Sequence, residues 1–152
     1  MTTAQMRKKN PYHHFHTANF MILREIMITF PFDERFKNYG YEDVLLGKTL
    51  YRNDIKIFHI NNTVSFDIFE NNEHFVQKTE EGLNTLYSFR KELCGYSKLL
   101  DIAKKIEKVG LKNTFVLIHK ALANVERKNI TGNRPSLFIF KLYKIGFYLS
   151  IK

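Results

Sequence analysis

The sequence is poor in the residues and patterns that mark secreted and membrane-spanning proteins. Its 152 residues include one cysteine, Cys94, which cannot form an intramolecular disulfide. Its first residues lack the charged, apolar and small-residue order of a secretory signal, and no uninterrupted apolar run approaches the roughly 18 residues that span a bilayer. These absences predict a cytoplasmic protein without a transmembrane helix.

Acidic residues are also scarce, but only in the second half of the chain. Residues 1–97 contain twelve Lys and Arg and twelve Asp and Glu, whereas residues 98–152 contain twelve and three, so the whole net charge of +9 lies in the second half. A basic half can bind nucleic acid, anionic lipid or an acidic protein, and charge alone does not choose between them. An apolar content of 44% is enough for a real hydrophobic core.

The first half of the sequence alternates between strand-like and helix-like segments. "FHTANFMILR" (15–24), "IKIFHI" (55–60) and "TVSFDIF" (63–69) are rich in β-forming residues and predict strands. Apolar spacing predicts helices from Tyr41 to about Arg52 and from about Asn72 to Leu93, and Gly40 permits a tight turn before the first of these. This order of elements predicts an α/β fold.

The second half is predicted to be wholly helical. Apolar residues recur on one face of "SKLLDIAKKIEKVG" with Gly110 as its C-terminal cap, a second helix is predicted over 114–127, and Pro135 is suited to open a third. The segment 135–152 combines bulky apolar residues with lysines and has no acid, which is typical of helices that lie on anionic membrane surfaces. A helix that packs on the domain or on a partner is the alternative. Because the basic segments lack a recognisable nucleic-acid motif, we expect no nucleic acid as a partner.

Two adjacent carboxylates, Glu42 and Asp43, occur in "NYGYEDVLLGKTL". Acids in the first turn of a helix are stabilised by unpaired N–H groups and the helix dipole, so a purely structural role is one interpretation. The other is chemical: tyrosines beside a carboxylate can form a platform for an uncharged ligand, and a carboxylate can accept a proton from a hydroxyl within hydrogen-bonding reach. The histidines of "HHFH", among them His14 and His16, are interpreted as surface or acceptor-cleft residues and not as a metal site.

An ordered set of motifs connects this acidic pair to a known family. "HTANFMILRE", "FPFDERF", "YGYED" and "IKIFHINNTV" follow one another as "T-x-N-F-x-I", "FDE-x-F", "YG-x-ED" and "N-x-V". Residues from about 12 to 93 resemble the second half of the catalytic domain of bacterial family 2 glycosyltransferases. The resemblance implies a partial GT-A (Rossmann-like) domain over 1–95, followed by a basic amphipathic helical extension over 96–152.

The resemblance also implies roles for individual residues. Asp43 matches the catalytic base, which takes the proton from an acceptor hydroxyl as its oxygen attacks a nucleotide-activated sugar and inverts the anomeric centre. Glu42 matches a residue that hydrogen-bonds the acceptor sugar. The remaining acceptor-side positions, on the preceding strand and around the acceptor pocket, are Thr17, Asn19, Tyr39, Gly40 and Tyr41.

The sequence departs from the family on the donor side. It contains no Gly-rich phosphate loop and no D-x-D, and Phe66 occupies the position of a metal-binding histidine. The divalent cation of the family, Mn²⁺ or Mg²⁺, therefore lacks its expected ligands.

The departures predict a glycosyltransferase fragment from polysaccharide or cell-envelope biosynthesis that is inactive as this chain alone, placed in the cytoplasm or peripherally on the inner face of its membrane. Whether Met1 is the natural start is left open by the sequence. The alternative is a non-catalytic module that binds a glycan acceptor or docks on a partner.

Overall fold

A computed structural model describes residues 3–62, 64 and 69–152. The chain forms two compact units, Met1–Asp67 and Ile68–Lys152. Within the described residues every regular element is helical, and there is no strand and no sheet. The predicted α/β fold, a partial GT-A (Rossmann-like) domain, is therefore wrong.

Among its described residues, the first unit contains three α-helices and a short 3₁₀ helix. The α-helices are α1 (Ala4–Lys8), α2 (Arg24–Thr29) and α3 (Glu42–Arg52), and the 3₁₀ helix spans Tyr12–His14. Phe15, Leu46 and Leu50 form the buried centre of this unit. Partly buried side chains from the loops and from α2 surround that centre, namely Tyr12, Ile22, Ile26, Met27, Phe32, Ile55 and Ile57.

The predicted strand at 55–60 has the side-chain pattern of a strand but not its hydrogen bonds. Ile55, Ile57 and His59 are half-buried, whereas the three residues between and after them are exposed. Such alternation is the period of an extended chain. A strand also requires a neighbouring backbone with which to form a ladder, and the described residues offer none. The predicted strand at 63–69 lies mostly outside the described residues.

The second unit is a bundle of four longer helices. They are α4 (Asn72–Ser88), α5 (Lys98–Lys108), α6 (Lys112–Thr131) and α7 (Leu137–Ser150). Three of them begin at side-chain caps: Asn71 accepts a hydrogen bond from the N–H of His74, Ser97 from that of Leu100, and Ser136 from that of Ile139. Gly110, with φ of 75°, ends α5 in the left-handed conformation that the sequence predicts.

Helices α6 and α7 pack closely against each other at a glycine. A Cβ atom at Gly146 would lie 2.5 Å from Cγ of His119, so only glycine permits this approach. His119 is buried on α6, where its Nδ1 hydrogen-bonds Oε2 of Glu126 at 2.8 Å. Its ring also meets that of Tyr143 edge-on at 5.3 Å.

The described helices include none that is both long and apolar enough to cross a membrane.

Candidate functional site

The start of α3 has an unusual backbone. Gly40 has φ of 100°, as expected for the predicted tight turn, and the next residue, Tyr41, has φ of 71°. A bulky residue rarely adopts the left-handed region, and strain of this kind is often retained at ligand sites. The two left-handed residues turn the chain sharply so that Glu42 and Asp43 enter the first turn of α3.

Asp43 hydrogen-bonds a histidine from a distant part of the sequence. Its Oδ2 lies 3.1 Å from Nδ1 of His16, and its Oδ1 accepts a hydrogen bond of 2.7 Å from the N–H of Val44. Because a carboxylate only accepts, Nδ1 of His16 must carry the proton. In the neutral ring Nε2 is then left with a free lone pair, and the side chain is 67% exposed.

Local packing explains why His16 reaches Asp43. Gly47 is four residues after Asp43, so both lie on the same face of α3. A Cβ at Gly47 would stand 2.9 Å from the carbonyl oxygen of Tyr12 and 3.2 Å from Cβ of Phe15, which shows how closely this segment approaches the helix. Phe15 is buried in the core, and the next residue, His16, therefore lies beside the first turn of α3.

The carboxylate of Asp43 changes the protonation chemistry around it. Its hydrogen bond raises the pKa of His16 above the ordinary value of 6.5, although partial burial opposes this effect. Burial raises the pKa of Tyr41, and the negative charge of Asp43 adds to that effect. His16 and Asp43 thus form the pairing of a base with an orienting carboxylate that is common in active sites.

Glu42 has a polar atom without a partner. Its Oε2 is buried and makes no hydrogen bond to any residue that the structure describes. Leaving a buried acceptor unsatisfied costs about 1–3 kcal/mol. A ligand hydroxyl that donated to this carboxylate would recover part of that cost.

Two of the other predicted acceptor-side residues do not lie on the predicted strand. Thr17 and Asn19 lie in a turn and not on a strand, so that part of the prediction is wrong. Asn19 donates from Nδ2 to the carbonyl of Asn62 at 3.2 Å. Tyr39 is 54% exposed, in the loop before Gly40.

Comparison with known proteins gives no relative. No family model, no curated protein and no solved structure matches this chain.

The described residues do not fit a divalent cation. None of the groups of His, Cys, Asp and Glu within 3–62, 64 and 69–152 has three members placed to hold a metal ion. Phe66, at the position of the family's metal-binding histidine, lies outside the described residues. No chemical step is assigned to a metal here.

The role of His16 was the part of the site least visible in the sequence. The pattern "HHFH" suggested a surface or acceptor-cleft histidine but gave no partner for it. The signal that could have found the pair is the combination of Phe15, an apolar residue just before His16, with a glycine one helical turn after Asp43.

The pairing predicts how His16 titrates. Asp43→Asn is expected to lower the pKa of His16 toward 6.5, because the amide retains an acceptor but loses the negative charge. NMR titration of the His16 ring protons measures this change. Asp33→Asn is the matched control, since Asp33 pairs with Arg35 in the same unit. An unchanged pKa of His16 in Asp43→Asn would contradict the pairing.

The same pairing fixes the sign of a pH dependence. A folded-state pKa above 6.5 means that protonated His16 stabilises the first unit at pH values below 6.5, and that this contribution is lost as pH rises through the raised pKa. The destabilisation caused by Asp43→Asn should therefore be larger in acid than in alkaline buffer. Urea unfolding of the wild type and Asp43→Asn, measured below pH 6.5 and in alkaline buffer, tests this expectation. A destabilisation that is equal in the two buffers, or larger in alkaline buffer, would contradict the ion pair.

Proposed function

We propose that the first unit binds the sugar acceptor of an inverting glycosyl transfer, and that the pair of His16 and Asp43 accepts the proton of the acceptor hydroxyl. The observation that carries the proposal is the hydrogen bond between Nδ1 of His16 and Oδ2 of Asp43, which leaves Nε2 of an exposed imidazole as a proton acceptor. The motifs around Asp43 in the sequence support an acceptor site at this position, although they assign the role of base to Asp43 and not to His16. The proposal requires no GT-A fold.

The proposed step needs no enzyme nucleophile. The acceptor hydroxyl donates to Nε2 of His16, and its proton moves to the ring as the hydroxyl oxygen attacks the anomeric carbon of a nucleotide-activated sugar. The oxygen attacks from the side opposite the nucleotide. The bond from the anomeric carbon to the phosphate oxygen breaks, the nucleotide leaves with its phosphate, and the anomeric centre inverts. Asp43 holds the ring by Nδ1 and stabilises the imidazolium that forms.

Glu42 is proposed to hold the acceptor. Its unpartnered Oε2 gains a hydrogen bond if the carboxylate turns toward a sugar hydroxyl. The exposed ring of Tyr39, close to the partly buried Tyr41 in the sequence, offers an apolar face of the kind against which sugar rings pack. No residue of this chain is assigned to the nucleotide, because the sequence has neither a Gly-rich phosphate loop nor a D-x-D.

A second candidate is an acceptor-binding module without transferase activity. The absence of donor motifs from the sequence favours it. The two candidates share the acceptor site and differ in the fate of the proton on the bound hydroxyl. If the chain transfers sugar from a nucleotide sugar to an oligosaccharide, and His16→Gln abolishes that transfer while glycan binding persists, the transferase is supported. A site that binds glycans and never transfers a sugar supports the module.

Calorimetric titration of the chain with neutral oligosaccharides and with nucleotide sugars tests acceptor binding. We expect oligosaccharide binding that Glu42→Gln weakens about tenfold, the loss of one charge-assisted hydrogen bond. Glu34→Gln, an exposed loop substitution in the same unit, is the control and should bind like the wild type. No glycan binding, or equal affinity of Glu42→Gln and the wild type, would contradict the proposed role.

A further inference from the structure

Helices α6 and α7 each expose a row of large apolar side chains. On α6 the row consists of Leu117, Ile118, Leu122 and Val125, which are between 46% and 69% exposed. It lies beside the buried face of α6, which carries His119, Glu126 and Ile130. On α7, Leu137 and Phe138 are 76% and 69% exposed. We call these six residues the outer surface of α6 and α7.

Basic residues greatly outnumber acidic ones in the segment that carries this outer surface. Residues 108–152 contain nine Lys and Arg and one acid, Glu126, which is buried against His119. Two of the nine cations are paired with acids of neighbouring helices, Arg127 with Glu73 and Glu80 and Lys112 with Glu107. Lys120, Lys128 and Lys141 are exposed on the same two helices.

We propose that the outer surface of α6 and α7 docks on a lipid bilayer that contains anionic lipids. A bilayer interface can bind both the apolar side chains and the lysines of this surface. The apolar side chains enter the boundary of the acyl region, and the lysines contact anionic headgroups. A second copy of the chain would bring two like-charged surfaces together. Nucleic acid would bind the lysines but would leave the aliphatic side chains of α6 exposed to water, because its bases stack on aromatic rings and not on aliphatic side chains.

The proposal revises the expectation that 135–152 as a whole meets the membrane. Tyr143, Tyr148 and Leu149 are buried in the second unit, so the later turns of α7 are a packing helix. The exposed residues of α7 lie in its first half, where Leu137 and Phe138 are the most exposed apolar side chains and Leu142 is 39% exposed, and α6 supplies most of the outer surface. This inference is independent of the proposed function, which concerns the first unit.

Co-sedimentation of the full chain with vesicles tests the proposal. We expect binding to phosphatidylcholine vesicles that contain phosphatidylserine, much weaker binding to phosphatidylcholine alone, and release by salt. Lys128→Gln should weaken binding about fivefold, as one charge near the surface. Lys98→Gln, an exposed lysine on α5, is the control.

A second matched pair tests the apolar part of the contact. Val125→Ser should weaken vesicle binding several-fold, whereas Val109→Ser should not, although their exposures of 67% and 65% are nearly equal. Circular dichroism verifies that both variants fold. Equal binding to both kinds of vesicle, no binding, or equal effects of the two substitutions would overturn the proposal. Concentration-dependent dimerisation that Val125→Ser abolishes would assign the surface to a second copy instead.

Discussion

Alanine in place of Gly146 is expected to lower the free energy of unfolding of the second unit by about 2 kcal/mol. The new Cβ would meet Cγ, Cβ and Nδ1 of His119 at 2.5–2.7 Å. The ring cannot move aside cheaply, because Glu126 holds its Nδ1 and the ring of Tyr143 packs against it at a steep angle. Overpacking of this kind costs more than the roughly 1 kcal/mol that alanine gains over glycine in a helix. Chemical denaturation followed by circular dichroism measures the loss.

A double-mutant cycle with His119→Ala identifies the cause. If the clash with the ring is responsible, Gly146→Ala should cost much less in the His119→Ala background than in the wild type. Independent, additive costs would show that another contact makes glycine necessary at position 146.

Alanine in place of Gly47 should disturb both the first unit and its candidate site. The added Cβ would lie 2.9 Å from the backbone oxygen of Tyr12, so the segment that carries His16 must move away from α3. We expect a net loss of about 1–2 kcal/mol in stability, after the gain in helix propensity. We also expect the pKa of His16 to return toward 6.5 and the affinity for glycans to fall about tenfold, because the pair with Asp43 separates.

Arg52→Ala is the control for that substitution. It replaces an exposed residue of the same helix and should change neither the pKa of His16 nor glycan affinity. If Gly47→Ala leaves the pKa of His16 unchanged, the packing of Phe15 against α3 does not position the histidine.

The helices of the second unit could be predicted because their signals are local. Apolar spacing and Gly110 as a terminator act within a few residues of the chain, and both appear in the structure where the sequence predicts them. The strands could not be predicted in this way. Ile55 and Ile57 alternate as a strand would, but a strand also depends on a second backbone whose position no local pattern contains.

One part of the candidate site follows from local sequence signals, and the other depends on a long-range contact. The turn at Gly40 and the placement of Glu42 and Asp43 in the first turn of a helix follow from adjacent residues. The contact between His16 and Asp43 spans 27 positions and depends on the close approach of Phe15 to Gly47. A single sequence offers both residues but not the packing that joins them.

The most direct test of the proposed function is long-range ¹H–¹⁵N NMR of the His16 imidazole during titration with a neutral oligosaccharide. The account predicts a saturable shift of Nε2 of His16, an Nδ1 that stays protonated, and loss of the response in Asp43→Asn. Binding that leaves both nitrogens of His16 unchanged, or that persists unaltered in Asp43→Asn, would contradict the account.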